Sequence, residues 1–132
     1  MKKILFATIG LFIFLIGCDD VDIYEKYGPE IMYYQYEDEG VATSEFNSIT
    51  LDAVTTEYTV MARVSAPFKL KEIKVYRGET VVQTVTDFSH EPKPTEYFLK
   101  QPLADITATT LVRIEAKDMD DKLTVKTFTI KK

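Results

Sequence analysis

Five of the eight tyrosines, Tyr24, Tyr27, Tyr33, Tyr34 and Tyr36, fall within one window of 13 residues, so aromatic chemistry is the first thing to consider. A tyrosine ring offers a large contact area at little entropic cost, and exposed rings stack on sugar faces or anchor a protein partner. Tyr33, Tyr34 and Tyr36, with the loop from Phe88 to Pro94, are the candidate ligand contacts. The competing reading is that these rings pack a first strand onto a core. The acidic turn Asp118-Met119-Asp120-Asp121 sets oxygens at alternate positions, as Ca²⁺ prefers, yet it lacks the glycine and distal glutamate of an EF-hand loop. Aspartates are also ordinary turn residues that bond their own backbone. The only histidine, His90, lies between Asp87 and Glu91, without the second histidine or nucleophile that metal binding or general-base work would need. Glu37, Asp38 and Glu39 adjoin at a turn, whereas glycosidase carboxylates face each other across a cleft. These patterns point to no catalytic residue, no metal site and no cofactor, and the expectation is a protein that is not an enzyme.

Cys18 is the only cysteine, and its surroundings decide its chemistry. Lys2 and Lys3 precede an apolar run from Ile4 to Ile16, and the small Gly17 stands just before Cys18. That order is the layout of a secretory signal peptide, and the 13-residue run falls short of the roughly 18 needed to span a bilayer as a helix. Leu15-Ile16-Gly17-Cys18 resembles the lipobox of bacterial lipoproteins. The resemblance implies cleavage before Cys18 and multiple acylation of its sulfur and new amino terminus, with no thiol left for a disulfide, a metal or a nucleophile. Each buried CH₂ of an acyl chain contributes about 0.8 kcal/mol, and two or more chains hold a protein stably at a membrane.

Removing the 17-residue leader from the 132 residues leaves 115, a length suited to one domain, and takes the formal charge from −5 to −7 with the loss of two lysines. An acidic chain lacks the clustered lysine and arginine that nucleic acid requires. The glycines that survive, Gly28, Gly40 and Gly78, are too far apart for a phosphate-binding loop. Residues 18–30 carry five acids against one lysine and end near a Gly-Pro break, which reads as an extended tether. Acids directly after the cysteine resemble the signal that exports lipoproteins of the Bacteroidota to the outer face of the outer membrane. In other Gram-negative envelopes an aspartate there resembles an inner-membrane retention signal. The expected location is the outer membrane, lipid-anchored and surface-exposed, with a periplasm-facing anchor as the alternative.

From Ile31 to Lys132 the apolar period is two, and β-branched and aromatic residues dominate. Strands are expected at 31–36, at 48–54 with Ile49, Leu51 and Ala53 on one face, and at 58–65 with Tyr58, Val60, Ala62 and Val64 inward. Further strands are expected at 72–77 with Ile73 and Val75 inward, at 80–86, at 97–100, at 111–116 with Val112, Ile114 and Ala116 inward, and at 123–130. Gly78-Glu79 suits a tight hairpin turn. A helical turn is expected within 104–107, and a bulge between Val125 and Phe128, where the apolar phase slips. Lys122, Lys126, Lys131 and Lys132 would discourage edge association.

The expected fold is all-β, about seven strands in two antiparallel sheets packed face to face. The strand spacing and the two hairpins between Ser48 and Lys132 resemble immunoglobulin-like and fibronectin type III-like modules, although the chain has no tryptophan and no second cysteine. The organisation expected is a signal peptide at 1–17, a lipidated tether at 18–30 and an immunoglobulin-like β-sandwich at 31–132. Taken together these features resemble the accessory surface lipoproteins of Bacteroidota. That resemblance implies a non-catalytic module that binds a glycan or an envelope protein. The alternative is a structural spacer or assembly subunit that recruits its partner by strand addition.

Overall fold

The computed structural model describes residues 27–35, 46–91 and 93–132. The leader, Cys18, most of the tether, Tyr36 and the acidic run Glu37 to Glu39 lie outside the described residues. Eight strands form two sheets, and no helix occurs among the described residues. The strands are β1 (Glu30–Tyr34), β2 (Ser48–Thr50), β3 (Tyr58–Ser65), β4 (Leu70–Arg77), β5 (Thr80–Val85), β6 (Glu96–Leu103), β7 (Thr110–Asp118) and β8 (Leu123–Lys131). One sheet has the order β1-β3-β6 and the other β2-β8-β7-β4-β5, giving a β-sandwich-like architecture. Every pairing is antiparallel except β2 with β8, which is parallel and corrects the expectation of two purely antiparallel sheets.

Alternation dictates the core. Val60, Ala62 and Val64 of β3, Ile73 and Val75 of β4, and Val112, Ile114 and Ala116 of β7 are buried, as their parity requires. Each valine or isoleucine so buried contributes roughly 1.5–3 kcal/mol. Phe128 of β8 sits among three rings, with centroids 5.0 Å from Tyr33, 5.2 Å from Phe46 and 6.0 Å from Tyr58. Gly78 opens the β4–β5 turn with φ 59°, a left-handed conformation that glycine adopts without strain.

Several boundaries depart from the period-two reading. β2 stops at Thr50 because Asp52 Oδ1 accepts the backbone N–H of Val54 (3.1 Å) and of Thr55 (2.7 Å), turning the chain and leaving Ala53 exposed. β6 runs three residues past Lys100 and through Pro102, which an edge strand tolerates because half of its N–H groups face away from the ladder. Residues 104–107 form no helical turn; Ile106 drops into the core there, and its N–H reaches Thr56 O at 2.9 Å.

The ladder between β7 and β8 carries no register shift, so the bulge expected between Val125 and Phe128 is absent. Val125 faces outward, and the inward parity is Thr124, Lys126, Phe128 and Ile130. Thr124 and Lys126 occupy inward positions because they bond the backbone at the start of β1: Thr124 Oγ1 donates to Pro29 O, just before the strand, at 2.6 Å and Lys126 Nζ to Ile31 O at 2.9 Å. Lys126 is therefore no edge guard; it joins the two sheets. Register shifts fall instead in β4, at Val75/Tyr76 against β5 and at Leu70/Glu72 against β7.

Candidate functional site

β1, β3 and β6 turn alternate side chains away from the core, and Tyr34 and Phe98 stand on this outer face. The register sets Tyr34 opposite Met61 and Met32 opposite Arg63 on one side of β3, and Phe98 opposite Arg63 on the other. The rings of Tyr34 and Phe98 lean across β3 and meet edge-on, centroids 6.5 Å apart and planes at 78°. Phe98 is 55% exposed, a large apolar ring left in water. Beside it Arg63 Nη2 lies 3.3 Å from Glu96 Oε2, while Arg63 Nε is shielded from solvent with no acceptor.

The Arg63–Glu96 pair is also the rim of an open groove of about 840 Å³ at the start of β1. Tyr27, Ser65, Thr124 and Lys126 line it further. Tyr27 is exposed; Lys126 is held by the Ile31 carbonyl. Ring faces, hydroxyls and a paired guanidinium and carboxylate thus share one surface. Such a surface stacks on flat apolar faces and exchanges hydrogen bonds with polar edges, the two features a sugar ring presents.

The three tyrosines singled out from the sequence meet three fates. Tyr33 is fully buried, its hydroxyl donating to Lys126 O at 2.7 Å, and it has no surface to offer a ligand. Burial, against a weaker opposing effect of the Ile114 backbone, pushes its phenol above the usual tyrosine range. Tyr34 lies on the outer face described above. Tyr36 lies outside the described residues. In the loop after β5, Phe88 is buried with its ring edge-on to Tyr97 at 5.6 Å, and it is a core residue, not a contact. Asp87 Oδ1 accepts the Ser89 hydroxyl (2.6 Å) and N–H (2.9 Å), which hold its carboxyl below the usual range; His90 is exposed.

The acidic turn is tied down by its own chain. Asp118 is buried and its Oδ1 accepts the N–H groups of Asp120 and Lys122, both at 2.9 Å, while Asp121 pairs with Lys71 at 2.5 Å and Asp120 with Lys122 at 3.6 Å. Among the described residues, no group of three or more His, Cys, Asp or Glu is placed to hold a metal ion.

Phe98, Arg63 and Glu96 were not singled out from the sequence. For Arg63 the signal that would have found it is the outward parity of β3, whose inward residues were read correctly; no inward residue had been assigned to the strand that carries Glu96 and Phe98. No family model matches the chain, and no curated protein matches it in sequence.

Proposed function

We propose that the chain is a non-catalytic lipoprotein of the cell surface, held at the outer membrane by acyl chains on Cys18, whose immunoglobulin-like β-sandwich binds a glycan. The binding surface is the outer face of β1, β3 and β6 with the adjoining groove. The observation that carries this reading is the half-open aromatic pair Tyr34–Phe98 next to the Arg63–Glu96 pair, a ring platform beside hydrogen-bonding groups. The acidic charge of the chain fits neutral or cationic ligands and disfavours nucleic acid. The leader, ending in Leu15-Ile16-Gly17-Cys18, supports the anchor.

A panel of glycans and envelope proteins, screened with the full chain, tests the reading. A glycan bound by the wild type and lost in the Phe98→Ala variant supports it; envelope-protein binding without glycan binding would replace it with the accessory-protein reading. Protease shaving of intact cells with mass spectrometry of the N-terminal peptide reads topology and acylation together, and an unacylated product that begins at Met1 would remove the anchor.

A further inference from the structure

The register sets Glu30 opposite Ser65, Leu70 opposite Asp118 and Lys117 opposite Leu123, so the start of β1, the turn from β3 to β4 and the β7–β8 hairpin share one end of the sandwich. The two turns are joined there, because the Met119 N–H reaches Lys69 O at 3.1 Å and Phe68 O at 3.4 Å. At this tip Phe68 is 45% exposed, and Met119 and Leu123 are each 55% exposed. Tyr27 on the incoming chain is exposed as well, and Gly28 runs so close to the hairpin that a Cβ added to it would stand 3.4 Å from Lys122 Cβ.

Exposure by itself does not single out this tip, since Val54, at the opposite end beside Lys132, is 85% exposed. The anchor does. Tyr27 is the ninth residue after Cys18, and nine residues reach at most about 32 Å when fully extended. The opposite end lies farther by the length of β3, eight residues or roughly 25 Å. A tip confined so near a bilayer has a high effective concentration there, and even a weak apolar contact is then populated.

We infer that this tip docks on the bilayer that holds Cys18, with Phe68 and Met119 seated at the boundary between headgroups and acyl chains. The inference rests on the lipid anchor proposed above. Aromatic and thioether side chains enter that boundary readily, and the exposed Lys69 beside Phe68 can lay its apolar stem along it while its ammonium stays among the phosphates. Asp120 and Asp121, the exposed acids of the hairpin, are paired with Lys122 and Lys71, so neither brings an uncompensated charge to the surface. The strands then stand upright on the membrane. The outer face of β1, β3 and β6 looks sideways and stays open to a ligand.

The chain has no tryptophan, so one introduced indole reports one position. Phe68→Trp, Met119→Trp and Val54→Trp, each as the full chain with its N-terminal mass measured, are placed in protein-free vesicles of phosphatidylethanolamine and phosphatidylglycerol with and without brominated acyl chains. Bromine should quench the Phe68→Trp and Met119→Trp emission about twofold or more and leave Val54→Trp unchanged. Met119→Trp decides alone should Phe68→Trp fail to fold. An acylated chain quenched no more at the tip than at Val54 would overturn the docking and leave the anchor standing, whereas an unacylated chain would remove both. Tip positions shielded from aqueous iodide in native membranes but not in the vesicles would assign the tip to a protein partner and overturn the proposal.

Discussion

The outer faces of the two sheets obey the same alternation but hold their aromatic rings differently. On the five-stranded sheet Lys74 pairs with Glu72 at 3.2 Å and Arg113 with Glu115 at 3.3 Å. The Tyr76 hydroxyl donates to Glu115 at 3.2 Å, and the Arg113 guanidinium covers the Tyr76 ring at 4.1 Å. That tyrosine has its ring and its hydroxyl both spoken for. On the three-stranded sheet Phe98 meets one ring, Tyr34, edge-on and is still 55% exposed. A ring whose face and hydroxyl are already engaged gains little by binding, because a ligand must first displace those contacts. The half-exposed Phe98 ring is where a ligand gains most.

The contrast can be broken outright by removing the core both faces share. Ile114→Asp buries an unpaired carboxylate at a cost of several kcal/mol against a total stability of roughly 5–15 kcal/mol, so circular dichroism should show an unfolded chain. A wild-type melting curve would put Ile114 outside the core. Next in size, Phe98→Ala should weaken ligand binding at least tenfold, about 1.4 kcal/mol, with an unchanged melting temperature. Tyr76→Ala should do the reverse, lowering the melting temperature by a few degrees and leaving binding alone.

Tyr33→Phe removes one buried hydrogen bond and should cost about 1 kcal/mol by denaturant titration. It also sharpens the pH response. A phenol whose folded pKa is raised stabilises the fold fully below its unfolded value of about 10, and that contribution is lost as pH rises beyond it. The variant should therefore lose less stability than wild type above pH 10, and parallel alkaline curves would show that Tyr33 does not report burial. The smallest effect is expected of Glu72→Gln, which breaks a partly exposed surface ion pair and should leave both binding and melting temperature unmoved.

The parity of β3, β4 and β7 was legible because their inward side chains all meet apolar neighbours in the core, so the apolar residues had one face to choose. β8 was not, because the groups beneath Thr124 and Lys126 are backbone carbonyls at the start of β1, nearly a hundred residues away in sequence, and carbonyls call for donors where the pattern calls for apolar side chains. The tyrosine cluster marked β1 correctly but could not say which ring goes inward, since Tyr33 and Tyr34 differ only in parity. Phe98 escaped notice because an outward aromatic in a strand looks like an inward one until Leu99, its neighbour, is known to fill the core. The parallel pairing of β2 depends on where the chain returns after the first strand, and no local pattern records that.

The most direct test is the affinity of whichever glycan the wild-type chain retains, measured for wild type, Phe98→Ala and Tyr76→Ala side by side. The account predicts at least a tenfold loss for Phe98→Ala and wild-type affinity for Tyr76→Ala. Equal affinities for all three, equal losses in both variants, or a wild-type chain that retains no glycan would contradict it.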